Sequence, residues 1–293
     1  MKKAVFLGLN ALGDTLCTTP AIRAFRLLNP DTAIIYVTQA ANFCRVLDHN
    51  PDIDLVLYNE RMYFHGIPEK TNEWLCTLPI DLREGAMLYR LDLRHVCTSP
   101  DVFRQHISKA FARIVGVETQ SVRPVLHLTE LERRAARVFA SRPYVVFSLH
   151  SVSNPERPDG KGRKKDWPVE RWQELARRLH AEGEFDILLV GAERDPWIEI
   201  PHARRLYGLP IRIVAALVEQ AACLVTVENG LGHLGAAVDA PMAVIYSDMM
   251  PVEWAGPAEA SNCQILYGDP LDLDCNTVFE AISKVTAARL VEA

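Results

Sequence analysis

The chain has 293 residues, of which 49% are hydrophobic and 24% charged, and a formal net charge of −5. Its length is near the limit of a single hydrophobic core, roughly 250–300 residues, which favours two α/β domains, and its globular composition excludes a disordered or fibrous chain. The negative charge argues against a general nucleic-acid-binding protein, which needs a basic surface.

Targeting and redox signals favour a cytoplasmic protein. The apolar run Ala4–Leu9 is too short for a secretory signal and is followed by the polar Asn10. No stretch approaches the roughly 18 uncharged apolar residues that cross a bilayer. The seven cysteines form no C-x-x-C pair, which indicates neither a disulfide framework nor a zinc site. We predict reduced thiols in the cytoplasm, with peripheral contact at the cytoplasmic face of the inner membrane as a hypothesis.

The N-terminal segment alternates strands and helices. A first strand at Ala4–Leu9 precedes a helix that is expected to carry Ile22, Phe25 and Leu28 on one face. The alternation continues with a strand at Ala33–Val37, a helix at Asn42–Asp48 and a strand at Asp54–Tyr58. This rhythm is typical of a parallel sheet with helical crossovers, so the first half is expected to be Rossmann-like.

Residues 60–100 interrupt the alternation. Proline and glycine occur there among arginine, histidine and tryptophan, a composition typical of substrate-facing loops. Helices are then expected at Val102–Ile114 and Leu131–Phe139, and a linker at Ser141–Pro143. The sequence therefore predicts two domains, residues 1–141 and 142–293.

The alternation restarts after the linker. Strands are expected at Tyr144–Leu149, Asp186–Val190, Ile211–Val214, Leu224–Val227 and Met242–Tyr246. Helices are expected at Glu170–Leu179, Ile198–Leu206, Ala215–Ala222, His233–Val238 and Val278–Leu290, the last packing on its own domain or returning to the first. Two such sheets in tandem indicate a ligand cleft between them.

The loop Asn10–Thr15 joins the first strand to the first helix. It lies at the carboxyl end of a sheet, where open α/β proteins bind ligands. Asp14 in this loop has two interpretations. It either caps the helix by accepting a backbone N–H, or it acts as a general base in the cleft.

The segment Lys161–Pro168 concentrates positive charge before a helix that Pro168 opens. Such a loop is more often a solvated surface. The alternative is a diphosphate site in which Lys165 takes part.

The segment Val227–Ala237 runs from a strand through a glycine-rich turn into a helix of small residues. Its first N–H groups are expected to form an anion site, although such glycines often serve only to pack a helix closely on a sheet. Glu193 follows another strand end and is either a ribose-binding carboxylate or an exposed residue at a helix start.

Several short motifs occur in the order and spacing of a known family. In the first half they are Leu12-Gly13-Asp14, Thr18-Thr19-Pro20 and Arg23-Ala24. In the second half they are Lys165-x-Trp167-Pro168, Arg171-Trp172, Gly191-Ala192-Glu193, the run Glu228 to Ala237, and Pro241. Together these motifs resemble those of the ADP-heptose:lipopolysaccharide heptosyltransferases, glycosyltransferase family nine. The resemblance covers residues 3–60 and 143–257, whereas residues 60–130 match loosely.

The resemblance implies a GT-B architecture, in which two Rossmann-like α/β domains present parallel sheets to an interdomain cleft. It implies an inverting, metal-independent transfer of a heptose or related sugar, without any cofactor. The donor would be a nucleotide-diphosphate sugar, ADP-heptose above all, and the acceptor a lipopolysaccharide core or another saccharide, free or lipid-linked.

The resemblance also implies roles for particular residues. The first domain would hold the acceptor, with Asp14 as general base and Asn10, Gly13 and Thr15 in the surrounding loop. The second domain would hold the donor: its diphosphate by Lys165 and by the turn of Gly230, Leu231, Gly232 and His233, its ribose by Glu193, and its sugar by Glu228 with Asn229 beside it.

Three residues of this chain, Glu228, Asn229 and Gly232, depart from the family pattern. At the corresponding positions the family commonly has Asp, then Thr or Ser, then a small residue other than glycine. These departures leave open a GT-B transferase with another nucleotide sugar and a small-molecule or protein acceptor. A non-catalytic protein that binds sugar nucleotides is a further alternative, since a fold persists without its chemistry. A sugar-nucleotide epimerase would need several acid–base groups, whereas the sequence shows one clear base.

Overall fold

The computed structural model describes residues 2–8, 10–59, 80–97, 102–151, 154–160, 162–183, 185–257 and 259–292. The chain divides into two compact units, Met1–His127 and Leu128–Ala293. Each unit contains its own parallel sheet, of four and six strands respectively. The α/β class with two parallel sheets, predicted from the alternation of strands and helices, is confirmed.

The first unit is built on a sheet in the order β3-β2-β1-β4. Its strands are β1 (Lys3–Gly8), β2 (Ala33–Gln39), β3 (Leu55–Asn59) and β4 (Ala86–Arg90). Its helices are α1 (Leu12–Cys17), α2 (Thr19–Leu28), α3 (Ile80–Arg83), α4 (Leu93–Val96) and α5 (Ile107–Val115), with 3-10 turns at Asn42–Leu47 and Val102–Arg104. Strand β1 is central, because Val5 pairs with Ile35 on one side and with Leu88 on the other. The carboxyl ends of all four strands therefore lie at one edge.

Helix α2 buries an apolar face on this sheet, as the sequence predicted for Ile22 and Phe25. The prediction for Leu28 was wrong, since its side chain is 68% exposed. The reason is helical geometry: six positions after Ile22 fall about 120° short of two full turns, so Leu28 rotates away from the buried face.

Strand β4 was not expected, because residues 60–100 had the composition of loops. It pairs in parallel with β1 through five residues, and its Met87 and Leu88 side chains remain exposed. An edge strand covered on one side gives a weak apolar signal, which explains why its sequence did not indicate a strand. The remaining parts of the loop prediction, residues 60–79 and 98–100, lie outside the described residues.

The second unit is built on a sheet in the order β10-β9-β8-β5-β6-β7. Its strands are β5 (Tyr144–Ser148), β6 (Asp186–Gly191), β7 (Ala203–Tyr207), β8 (Cys223–Val227), β9 (Met242–Tyr246) and β10 (Cys263–Tyr267). Its helices are α6 (Glu130–Ala136), α7 (Val169–Glu182), α8 (Ile211–Gln220), α9 (Gly230–Ala237), α10 (Val252–Ala255) and α11 (Cys275–Glu292), with a 3-10 turn at Arg137–Phe139. All pairings are parallel. The order reverses direction at β5 and β8, the place where open α/β sheets bind ligands.

Two adjacent predictions in this unit were wrong. The segment expected as a helix at Ile198–Leu206 contains most of strand β7. The strand expected at Ile211–Val214 is the start of helix α8, which also includes most of the helix predicted at Ala215–Ala222. The run of β-branched residues favoured a strand, but Pro210 initiates a helix there, and burial of Val214 and Val218 outweighs their intrinsic preference.

The boundary between the units lies before the linker predicted at Ser141–Pro143. Helix α6 belongs to the second unit because it packs on α8 through two ion pairs. Arg133 Nε lies 2.7 Å from Glu219 Oε2, and Arg212 pairs with Glu132. The terminal helix α11 also packs on the second sheet, where Val278 and Ile282 join its core. No helix of the described residues is long and apolar enough to cross a membrane.

Candidate functional site

Polar side chains gather at the carboxyl edge of the second sheet. Glu228 directly follows β8 and Ser247 directly follows β9, and these strands are parallel neighbours. The loop between β5 and α7 brings Lys165 to the same edge. Lys165 and Glu228 come from two separate sequence motifs, and the fold joins them.

Lys165 and Glu228 form a buried ion pair. The Lys165 ammonium lies 2.7 Å from Glu228 Oε1, and the two side chains are only 11% and 8% exposed. The hydroxyl of Ser247, itself fully buried, donates to Glu228 Oε2. Attraction between such charges is stronger in a low-dielectric interior than in water, but only a well hydrogen-bonded pair offsets the cost of removing both ions from solvent.

The backbone of Lys165 is fixed by its neighbours. Asn154 Oδ1 accepts the Lys165 N–H at 2.8 Å, and Asn154 Nδ2 donates to Asp166 Oδ1 at 2.6 Å. Trp167 Nε1 donates to Leu273 O at 2.8 Å, which anchors the end of the loop. Lys165 is therefore held within the unit, whereas Arg163 and Lys164, from the same basic run, remain exposed.

Two carboxyl groups in and beside this loop have shifted pKa values. Burial raises the pKa of Asp166, although the nearby His150 partly opposes the rise. Arg157 donates to Asp269 at 2.8 Å, and this pairing lowers the pKa of Asp269. The Arg157–Asp269 pair ties the beginning of the loop to the segment before α11.

Asn229 caps helix α9. Its Oδ1 accepts the Leu231 N–H at 2.8 Å, while its Nδ2 donates to His150 O at 2.8 Å and to Ser148 Oγ at 3.0 Å. The carboxamide thus fastens the helix start to the end of β5. Asn229 was predicted to lie in the donor site, and its polar atoms are engaged within the protein.

Two of the predicted anion-binding amides are already hydrogen-bonded at this turn. Leu231 donates to the Asn229 side chain, and Gly232 donates to Asn229 O at 3.2 Å. Within the described part of the chain, the Gly230 N–H has no acceptor. The turn therefore offers fewer donors to a ligand than its glycine content predicts. His233 is half-buried in the helix that follows.

The glycines of α9 serve different purposes. A Cβ at Gly235 would lie 2.2 Å from Met242 Sδ, so this glycine is required for close packing of the helix on β9. A Cβ at Gly232 would meet no heavy atom within 4 Å. Close packing therefore explains why a glycine is needed at position 235, but it does not explain the glycine at position 232.

Glu193 lies in the turn after β6 and is exposed. The adjacent Asp195 shapes this turn by accepting the Ala192 N–H at 2.7 Å. Contacts among the described residues do not join Glu193 to Lys165 or Glu228, although β6 is next to β5 and its carboxyl end lies at the same edge.

The predicted base Asp14 lies in the first turn of α1, whose N-cap is Ala11. It is partly exposed, and its charge contributes, after burial, to raising the pKa of the thiols of Cys17 and Cys97. Asp14 is the third residue of the helix and not its N-cap, so its carboxylate complements the helix dipole without capping the helix.

The loop residues around Asp14 are buried. Asn10 is fully buried, and its side chain donates to Leu91 O at 2.5 Å and accepts the Leu93 N–H at 3.1 Å. Gly13 and Thr15 are also buried, and the Thr15 hydroxyl has no partner among the described residues. Asn10 therefore clamps the loop after β1 to the loop after β4.

Comparison with known proteins identifies the family. The model of glycosyltransferase family 9 (heptosyltransferase) matches residues 83–271. The chain belongs to glycosyltransferase family 9. A search of curated proteins found no match. Family membership confirms the resemblance stated above and makes the chain a glycosyltransferase.

Solved structures of glycosyltransferase family 9 share its fold. The Escherichia coli ADP-heptose lipopolysaccharide heptosyltransferase II is 17% identical, with 100% of both chains covered and a TM-score of 0.75. A family 9 glycosyltransferase from Veillonella parvula is 17% identical, with 98% of this chain and 97% of that chain covered and a TM-score of 0.73. The E. coli heptosyltransferase WaaC with ADP is 18% identical, with 96% and 99% covered and a TM-score of 0.64. The fold of two Rossmann-like units is that of the GT-B enzymes.

The sequence interpretation missed three residues at the edge of the second sheet of this glycosyltransferase. Ser247 holds Glu228, Asn154 holds the Lys165 backbone, and His150 accepts from Asn229 while its Nε2 is buried without a partner in the described structure. Ser247 and His150 each follow a correctly predicted strand closely. A search for polar residues just after each parallel strand would have found both.

Proposed function

We propose that this glycosyltransferase moves a heptose or related sugar from an ADP-sugar to a saccharide acceptor, with inversion and without a metal ion. The acceptor would be a lipopolysaccharide core or another saccharide, free or lipid-linked. We further propose that the enzyme acts in the cytoplasm, at the inner membrane surface where the acceptor is lipid-linked.

The observation that carries this proposal is the buried Lys165 ammonium at the carboxyl edge of the second sheet. It is 2.7 Å from Glu228, the residue directly before the cap of α9. A lysine at this position reaches the region in front of the helix start, where the backbone dipole also favours negative charge. These two sources of positive charge suit a diphosphate.

The chemistry follows from where charge develops. The acceptor hydroxyl oxygen attacks the anomeric carbon of the donor, the bond from that carbon to the diphosphate oxygen breaks, and Asp14 takes the hydroxyl proton. Lys165 and the Gly230 N–H would stabilise the negative charge that grows on the departing diphosphate. This assignment gives the Lys165 ammonium and the Gly230 N–H the role that a divalent ion has in other transferases.

Glu193 and His233 would contribute to donor binding without taking part in proton transfer. Glu193, exposed after β6, would accept hydrogen bonds from the ribose hydroxyls, and His233 would lie beside the diphosphate. Both oxygens of Glu228 are already engaged, one by Lys165 and one by Ser247. We therefore propose that Glu228 acts on the transferred sugar indirectly, through its contact with Lys165.

A binding screen followed by a transfer assay tests the proposal. The purified protein is heated with ADP, UDP, GDP, CMP or ADP-heptose, and a ligand that binds only the folded state raises the Tm. A shift with ADP and ADP-heptose alone supports the donor assignment, and a shift with another nucleotide replaces that donor.

The transfer assay then uses ADP-heptose with truncated lipopolysaccharide cores, with and without EDTA. Product of inverted configuration in both conditions supports the whole proposal. Turnover that EDTA abolishes contradicts the metal-independent step, and ADP-heptose hydrolysis without transfer to any saccharide contradicts the acceptor class.

A further inference from the structure

Glu228 is held from two sides at the carboxyl edge of the second sheet. Its Oε1 lies 2.7 Å from the Lys165 ammonium, and its Oε2 accepts from the Ser247 hydroxyl. All three residues are buried. The carboxylate is therefore fixed beside the Lys165 ammonium of the proposed diphosphate site.

We propose that Glu228 is the internal counter-ion of Lys165. It orients the ammonium and competes with the diphosphate for its charge, so that Glu228 sets how tightly the site holds diphosphate. The Ser247 hydroxyl donates a hydrogen bond to the other oxygen of this carboxylate. The inference rests on the proposed function, because it concerns the same donor site.

The charges explain the direction of the effect. A lysine ammonium has three N–H donors, and Glu228 uses one of them, so a phosphate oxygen can still bind to Lys165. The Lys165–Glu228 pair has no net charge, however, and a diphosphate that approaches it also meets the nearby carboxylate. The fixed negative charge therefore weakens binding of the substrate's diphosphate and of the diphosphate product alike.

Glu228 is the carboxylate at this turn that contacts Lys165. Asn229, the following residue, is committed to capping α9. Glu228 is therefore the group next to this turn whose charge acts on Lys165.

The test measures inorganic pyrophosphate and ADP binding to the full chain by titration calorimetry. Glu228→Gln keeps the size of the side chain and an oxygen for Lys165, and it removes the charge. Its amide donates to the Ser247 oxygen, which reverses the direction of that hydrogen bond. We expect pyrophosphate to bind about tenfold more tightly to this variant, a gain of the size seen for close charge pairs.

Two further variants separate charge from packing. Ser247→Ala keeps the carboxylate, so its affinity for pyrophosphate should stay within about twofold of the wild type. In the double variant Lys165→Met/Glu228→Gln the buried site stays neutral, and pyrophosphate should bind more weakly than to the wild type, because the gain depends on Lys165.

The possible results have distinct meanings. If Glu228→Gln binds pyrophosphate no more tightly than the wild type, the proposal that Glu228 is a counter-ion is wrong. If the wild type also binds pyrophosphate and the double variant does not, the proposed donor site still stands. The counter-ion proposal is also wrong if Ser247→Ala raises the pyrophosphate affinity as much as Glu228→Gln does. It is wrong as well if the affinity of the double variant remains above that of the wild type. Absence of pyrophosphate and ADP binding by the wild type and by Glu228→Gln contradicts both the counter-ion and the proposed donor site.

Discussion

Gly235 of α9 faces Met242 of β9 so closely that a Cβ on the glycine would lie 2.2 Å from Met242 Sδ. Gly235→Ala should therefore lower the free energy of unfolding by about 1–3 kcal/mol, the usual cost of overpacking a core. Gly232→Ala is the matched control on the same helix, because its Cβ would meet nothing within 4 Å.

Urea denaturation of both variants checks this contrast. Gly232→Ala should be as stable as the wild type or gain up to about 1 kcal/mol, since alanine favours a helix over glycine. Equal destabilisation of the two variants would mean that α9 does not lie on β9 as described.

Lys165→Ala should weaken ADP binding by about 10–100-fold, since a charge-assisted hydrogen bond to phosphate is worth roughly 1.5–3 kcal/mol. Lys164→Ala is the control: the adjacent lysine is exposed and lies in the same basic run. Titration calorimetry with ADP compares the two, after thermal denaturation has shown that both fold. A larger loss for Lys164→Ala than for Lys165→Ala would assign nucleotide binding to the exposed part of the loop.

Asp14→Asn should reduce kcat by about 10²–10⁴-fold, the usual contribution of a general base, and leave ADP affinity nearly unchanged. Its effect on stability should stay below about 1 kcal/mol, because Asp14 lies in the first turn of α1 and contributes there mainly through the helix dipole.

The control for Asp14 is Asp31→Asn, since Asp31 is an exposed carboxylate of the same unit. It should leave both turnover and stability unchanged. If the loss of activity in Asp14→Asn is accompanied by an equally large loss of stability, Asp14 is a structural helix residue and not the base.

The sequence predicted those strands that are buried on both faces. Tyr144–Ser148 and Met242–Tyr246 are fully buried, so their apolar runs are continuous and unambiguous. Strand β7, Ala203–Tyr207, contains two exposed arginines and a single buried leucine, which explains why a helix was predicted there instead. The two exposed arginines interrupt the apolar signal of β7.

The sequence predicted individual residues of the candidate site but not the contacts between them. The motifs indicated Lys165 and Glu228 separately, and no local pattern shows that they contact each other. That contact depends on β8 lying beside β5 and β9 in the sheet. The role of Asn10 was likewise hidden, because its partners Leu91 and Leu93 lie far along the chain after β4, a strand that the sequence did not reveal.

The stability of the second unit should depend on pH through Glu132, at the start of α6. Burial by itself raises the pKa of Glu132, but hydrogen bonds from Arg212 and Thr129 outweigh it and lower the pKa from 4.5 to about 2. Arg212 Nη2 lies 2.9 Å from Glu132 Oε2, and the Thr129 N–H donates to the same oxygen at 2.7 Å. A carboxylate whose pKa is depressed in the folded state stabilises the protein above its unfolded pKa and loses that contribution as the pH falls.

Wild type and Glu132→Gln should therefore differ by a constant amount above about pH 5, on the order of 2 kcal/mol, and the difference should shrink as the pH falls from 4.5 towards 2. Urea denaturation at pH 6, 4 and 3 measures it. The control is Glu130→Gln, because Glu130 lies on the same helix with a side chain 64% exposed, and its removal should have little effect at any pH. A difference between wild type and Glu132→Gln that stays constant down to pH 3 would show that the ionised Glu132 carboxylate is not what binds α6 to Arg212.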